Sequence, residues 1–250
     1  MDLAEQLRTF YAGRDGRRDA RIVAGIVAPT VRREANTRFL AMGYPRPLLA
    51  GLSPDKFERA VMLSSCGVPQ RHWPRRGANC AVAGYADDLP FSGAMFDQVL
   101  MVHALEHGDP RAILHEAERV LAPAGDLILI VPNRAGLWTH FETTPFGLGR
   151  PFGRGELRRL LWDGGFEPIS WKTALVAPPV AGLRWMDGLL GRAVPRLGGI
   201  HFVLARKSGG PAAARVRSAS ERARRPGLVP AAPVAARAMP SRRPRDLRQR

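Results

Sequence analysis

The sequence predicts an α/β fold: a doubly wound, mostly parallel seven-stranded sheet with helices on its faces. Of seven strand candidates, most are short and almost continuously apolar, the pattern of strands buried on both sides rather than on one. Helical patterns alternate with several of these runs, as crossovers between parallel strands require. The chain has 250 residues, 45% of them hydrophobic and 24% charged, ordinary globular composition for one large domain or two small ones.

The elements follow in order. Residues 1–35 read as an amphipathic helical extension, with Leu3, Leu7, Phe10 and Tyr11 at helical spacing. A second apolar group, Ile22, Val23, Ile26 and Val27, follows Gly16, and Pro29 closes the segment. Residues 36–207 hold the strand candidates. Thr37–Met42 ends at Gly43, Arg59–Ser65 at a Cys-Gly-Val-Pro turn, and Cys80–Tyr85 before two aspartates. Phe96–Val102 is followed by HALEH, and Asp126–Val131 ends at Pro132-Asn133. Between these last two lies a helix over Asp109–Leu121, whose apolar face is Ile113, Leu114, Ala117, Val120 and Leu121. Asp109 and Pro110 are the N-cap and first-turn pair of a helix start. A helix over GRGELRRLLWDGGF and strands at Phe166–Leu175 and Ile200–Ala205 complete the set; Pro178–Leu197, rich in Pro and Gly, reads as a cap over the sheet.

The charge is unevenly placed. The chain has 38 basic and 22 acidic residues, a net +16, and residues 208–250 alone carry 11 Arg against Glu221 and Asp246. Over half of the excess thus sits in that last segment, which has no aromatic residue and is expected to be disordered. The folded remainder is only moderately basic, so a chain-wide nucleic-acid reading is weakened. Non-specific nucleic-acid contact is a role for the tail alone, through phosphates, without the aromatic stacking of single-strand binders. Cys66 and Cys80 are too few for a disulfide framework or a Cys-rich zinc site. The absence of a long apolar run or a signal-peptide pattern predicts a protein without a membrane span, located in the cytoplasm.

The stretch Asp88–Asn133, DLPFSGAMFDQVLMVHALEHGDPRAILHEAERVLAPAGDLILIVPN, resembles the second half of a class I S-adenosylmethionine-dependent methyltransferase of the small-molecule type, similar to the type 11 domains. The matching landmarks are Leu89-Pro90-Phe91 after the third strand, Phe96-Asp97 opening the fourth, and Arg119-Val120-Leu121 with Pro123 and Gly125 before the fifth. GRGELRRLLWDGGFEPISW resembles the helix and sixth strand of the same family, so the likeness covers about residues 36–207.

The resemblance implies a Rossmann-like methyltransferase fold, S-adenosylmethionine as cofactor and a small-molecule acceptor. In an open parallel sheet the ligand sits beyond the carboxyl ends of the strands, where strand order reverses. The cofactor-binding residues implied are Gly43, Tyr44, Pro45, Asp87, Asp88, Leu89, His103 and Ala104. A bulky residue in place of Gly43 is then expected to abolish cofactor binding while leaving the fold's melting nearly intact. Three features depart from the family pattern. The first turn, Met42-Gly43-Tyr44-Pro45-Arg46-Pro47, keeps one glycine where the family has G-x-G-x-G. The second strand ends in Ser64 and Ser65 where the family has a ribose-binding acid. Tyr85 holds the position of the acid after the third strand, with Asp87 and Asp88 displaced toward the turn.

HALEH also spells H-x-x-E-H, a zinc signature when it lies on a helix. Here it follows a buried strand, and the family resemblance accounts for it without a metal, so no metal is expected. His103 and His107 are the catalytic candidates, each able to take an acceptor's proton near neutral pH, or else to serve as hydrogen-bonding groups at a strand end. Asp97 more often anchors a loop than catalyses. Trp138, His140, Phe141, Phe146 and Phe152 form either an aromatic acceptor wall or a packed cluster under a loop. The N-terminal helix is a lid over the site or docks on the sheet. Two other functions compete with methyl transfer: a binding or partner protein of the same fold that has lost catalysis, and an RNA-associated factor working through the tail.

Overall fold

The computed structural model describes residues 3–65, 72–141, 144–177 and 197–208. Its elements in chain order are α1 Leu3–Ala12, α2 Arg14–Val27, β1 Arg38–Gly43, β2 Arg59–Ser65, β3 Ala81–Gly84 and β4 Phe96–Val102. There follow α3 Pro110–Val120, β5 Leu121–Pro132, α4 Arg154–Asp163, β6 Phe166–Ala174 and β7 Ile200–Lys207. The seven strands form one sheet in the order β3-β2-β1-β4-β5-β7-β6. All neighbours pair parallel except β7, which runs antiparallel to both β5 and β6. The α/β class and the seven-stranded sheet are as the sequence predicts.

Successive strand side chains point to opposite faces, and β1 shows the consequence. Phe39 and Ala41 join a core with Ala20, Val23 and Val27 of α2, while Leu40 and Met42 join a second core with Ile113 and Leu114 of α3 and Leu157 and Leu161 of α4. The apolar stripe of α2 therefore docks on the sheet, and the polar stripe faces water. Where α1 meets α2, a side chain at Gly16 would lie 2.1 Å from the carbonyl oxygen of Phe10, so the tight corner between the helices requires glycine.

The alternation of strand and helix fails in the amino half. Residues 44–58 contain only the single turns Leu49–Gly51 and Pro54–Lys56, and no helix occurs among the described residues of 72–80 or in 85–95. Pro45, Pro47 and Pro54 lack the N–H a helix interior needs, and Gly51 adds conformational freedom.

The carboxyl half is regular, and its recognition landmarks are bonded to one another. Asp109 caps α3 by accepting from the Arg111 N–H at 3.0 Å. The Arg119 guanidinium donates to the carbonyls of Leu89 at 2.9 Å and Phe91 at 2.7 Å and to both oxygens of Glu116. Glu116 in turn accepts from the Leu89 N–H at 2.9 Å. The Leu-Pro-Phe turn and the end of α3 are thus one hydrogen-bonded unit. Asp97 accepts from the Arg38 N–H at 2.8 Å and from its guanidinium at 3.0 and 2.9 Å. It is an anchor at the start of β1, and Arg38 holds its carboxyl below the usual range. No helix among the described residues is long and apolar enough to cross a membrane.

Candidate active site

Because β1 to β5 run parallel, the residues that follow each of them emerge on one edge of the sheet. From β1 the chain order runs outward in both directions, to β2 and β3 on one side and to β4 and β5 on the other. That reversal is the position at which open α/β sheets bind ligands. Gly43, Tyr44, Pro45, His103 and Ala104 meet there. Gly43 has φ +86, and a side chain on it would lie 2.1 Å from the carbonyl oxygen of Val102 and 3.0 Å from Ala104 Cβ. The Tyr44 N–H donates to the same Val102 oxygen at 2.7 Å. The space left by this glycine is therefore taken by β4. Contrary to the sequence expectation, substitution at Gly43 disrupts the β1–β4 seam itself, so the fold's melting would not stay intact.

His103 is the centre of the arrangement. Its backbone lies in the left-handed region at φ +50, which for a non-glycine residue stores strain. Its Nδ1 is 2.9 Å from Glu106 Oε1, with both side chains at most 1% exposed. Its Nε2 is 2.7 Å from the hydroxyl of Tyr11, which α1 brings across the edge from 92 residues away. The consistent proton assignment has Nδ1–H donating to Glu106 and the Tyr11 O–H donating to Nε2. Tyr11 also stacks on Tyr44, with centroids 5.8 Å apart. Burial, together with the acids Asp19 and Glu106, pushes the Tyr11 phenol well above its ordinary range, so it stays protonated.

Leu105–His107 form a single 3-10 turn rather than a helix. The loop from Thr144 to Pro151 roofs this turn: the Arg150 N–H donates to the Glu106 carbonyl at 3.1 Å, and Gly149 lies against Glu106 and His107. Glu106 Oε2 and His107 Nε2 are buried without a hydrogen-bond partner among the described residues. Burial, which dominates over the opposing pull of Glu106, lowers the His107 pKa. The potential ligand atoms of His103, Glu106 and His107 lie within 4.8 Å of one another. Taking up an ion there would require His103 to release Tyr11 or Glu106, since both of its ring nitrogens are engaged.

Asp87, Asp88 and Leu89 stand apart from this group, beyond β3 and two strands from β1, roughly 10 Å away. Asp87 and Asp88 are exposed in a turn closed by the bridge between Tyr85 and Asp88, and Leu89 is buried against α3. The aromatic residues after β5 also divide. Trp138 and Phe146 are buried on the α2 face, with Phe146 5.0 Å from His103 and 5.5 Å from Trp138 by ring centroids. Phe152 belongs to the opposite core, while Phe141 is half-buried and His140 exposed. Tyr11 was not singled out as a site residue from sequence; its only signal was the Phe10-Tyr11 pair at the end of an amphipathic helix. The basic tail, the segment 178–196 of the expected cap and Cys66 lie outside the described residues, while Cys80 is a half-buried free thiol.

A cavity of about 980 Å³ opens beside α1 and α2, with Tyr11 and Tyr44 on its wall. These two tyrosines separate it from His103.

A family model described as a methyltransferase domain matches residues 61–129. Among solved structures, an S-adenosylmethionine-dependent methyltransferase of Thermotoga maritima superposes with a TM-score of 0.53 at 20% identity, covering 74% of this chain and 86% of that one. One from Mesorhizobium loti gives 0.53 at 12% identity, with 73% and 96% covered. Another from Archaeoglobus fulgidus gives 0.52 at 15% identity, with 75% and 94% covered. A comparison with curated proteins gives no significant match.

Proposed function

We propose that this chain is a class I S-adenosylmethionine-dependent methyltransferase, a reading supported by the family-model match over residues 61–129 and by the fold, and that it transfers a methyl group to a small-molecule acceptor that loses a proton in the reaction. The observation that carries the reading is the hydrogen-bonded series Glu106–His103–Tyr11 at the switch point of the sheet, buried at Glu106 and His103 and half-buried at Tyr11.

Each member has a distinct task. Glu106 fixes the His103 ring with Nδ1 protonated, which leaves Nε2 as a proton acceptor. Tyr11, kept neutral by burial, accepts the acceptor's proton at its oxygen while passing its own to His103 Nε2. Glu106 then faces the imidazolium it helped to form. Phe10 packs edge-on against both Tyr11 and Phe146 beside this path.

The cofactor supplies an electrophilic methyl group on a sulfonium when bound. The backbone at Gly43, Tyr44, Pro45, His103 and Ala104 would hold it; Asp87 and Asp88 stand two strands away and Leu89 is buried against α3, so these three lie outside that group. The fit is one of charge: Glu106 Oε2, buried and without a partner among the described residues, suits a cationic group. It is not the fit of a glycine-rich cradle, because Val102 fills the space beside Gly43.

Calorimetric titration with S-adenosylmethionine tests the reading. Saturable binding is expected in the native chain and in His103→Gln, with methyl transfer lost only in the variant. No binding at millimolar cofactor would leave the second reading, a binding protein of this fold, which the proline-bearing first turn and the strand end at Ser64 and Ser65 favour. For the third reading, an RNA-associated factor, removal of residues 208–250 is expected to cost a large, salt-sensitive RNA affinity.

A further inference from the structure

We infer that the cavity beside α1 and α2 recognises the acceptor as a small organic anion, an apolar body bearing a carboxylate or phosphate. Six arginines line it: Arg8 from α1, Arg17 and Arg21 from α2, Arg46 from the first turn, and Arg75 and Arg76 from the segment before β3. Among the described residues no acidic side chain does. Arginines scattered on a solvated face need no explanation, but these converge from four separate chain segments on one concavity. Arg17 and Arg21 spend hydrogen bonds on backbone carbonyls, and Arg8 has an exposed contact with Glu5.

A concave site lined by a single sign of charge focuses its field and raises the local concentration of the opposite ion. Guanidinium groups bind carboxylate and phosphate in bidentate fashion, which adds geometric selection to the charge. The rest of the wall suits an apolar body: Leu49, Leu52, Trp73 and Pro74 lie among the arginines. Trp73 is buried, and its ring is held in place by packing in the α2-face core.

The link to chemistry is Tyr11, which lines the cavity and contacts His103. An anion seated among the arginines would present its reacting group to the Tyr11 oxygen. The assignment of this anion as acceptor rests on the methyltransferase reading; the anion site itself does not.

The test uses the full chain and three probes on one ring position: 2-naphthoate, 2-naphthyl phosphate and the neutral 2-naphthalenemethanol. At least one anion is expected to bind about tenfold more tightly than the alcohol, and the preferred arm tells carboxylate from phosphate. Arg21→Gln with Arg75→Gln, both at exposed side chains, is expected to remove that preference with the melting temperature unchanged. Equal binding of all three probes would overturn the inference. So would a preference that survives the double variant, which would assign it to the tail, or anion binding displaced by single-stranded RNA but unaffected by the variant. S-adenosylmethionine is titrated separately: cofactor binding without anion preference sinks this inference alone, and anion preference without cofactor binding sinks the methyltransferase reading alone.

Discussion

The two halves of the sheet are built by different rules. From β4 onward helices stand between most of the strands, and the polar landmarks are bonded to one another, as Arg119 and Glu116 are to the Leu89–Phe91 turn. From β1 to β3 the strands pair in the same parallel manner, yet the described connections between them carry no helix. There α1 and α2 supply much of the cover instead, and the space beside them holds the arginine-lined cavity. The same parallel sheet edge can therefore carry two different kinds of wall, because strand pairing and wall composition are set by separate residues.

The sharpest way to break this contrast is at the seam between the halves. Gly43→Val is expected to destabilise the fold by about 3–5 kcal/mol, from left-handed strain and overpacking against Val102. Denaturant unfolding measures it; an unchanged midpoint would mean that β1 does not close on β4 as described. Next comes the regular half. Glu116→Ala leaves the Leu89 N–H and the Arg119 guanidinium without their carboxylate and is expected to cost about 3 kcal/mol. The same measurement applies, and a loss below about 1 kcal/mol would make the landmark unit ornamental.

A third test uses pH within the regular half. Burial, with Arg154 nearby, lowers the His201 pKa from 6.5 to about 4. The unfolded chain then binds the proton more readily, so stability is full above 6.5 and falls as pH drops toward about 4. The loss is on the order of 3 kcal/mol at the bottom of that window. His201→Phe should flatten the pH dependence of the melting temperature there. An identical slope in both proteins would assign the loss elsewhere, for instance to Asp97, whose depressed pKa places its own loss at lower pH. The smallest effect crosses the seam: Tyr11→Phe is expected to cost about 1 kcal/mol of stability while moving the His103 ring resonances, read by imidazole NMR at one pH. An unmoved His103 resonance would mean that α1 does not reach the site.

The sequence made the second half readable because apolar runs, an Asp-Pro helix start and the Arg-Val-Leu turn are local signals, and local signals coincide with local structure there. The strand Arg59–Ser65 was equally plain. Helices between the early strands were expected from alternation, and the prolines at 45, 47 and 54 were the evidence against them. Of the proposed site, the residues at the ends of β1 and β4 come together, because adjacent parallel strands deliver them to one edge. Asp87 and Asp88 stay two strands away. Tyr11 escaped notice because its partner is 92 residues distant, and no periodicity within one helix announces what its last turn will touch.

Lys207, the last residue of β7, donates to the carbonyls of Glu118 and Leu121 at 2.6 and 2.7 Å, where α3 turns directly into β5. Ser208 follows with bonds from its N–H and hydroxyl to the Gly165 carbonyl. The helix-to-strand corner that carries the Arg-Val-Leu landmark is thus fastened by residues at the very threshold of the arginine tail. A protease cut just beyond Ser208 would leave this clasp whole, whereas one a few residues earlier would free two carbonyls in the middle of the domain. A truncation after Ser208 keeps the clasp and one before Lys207 loses it, a difference that a melting curve reads.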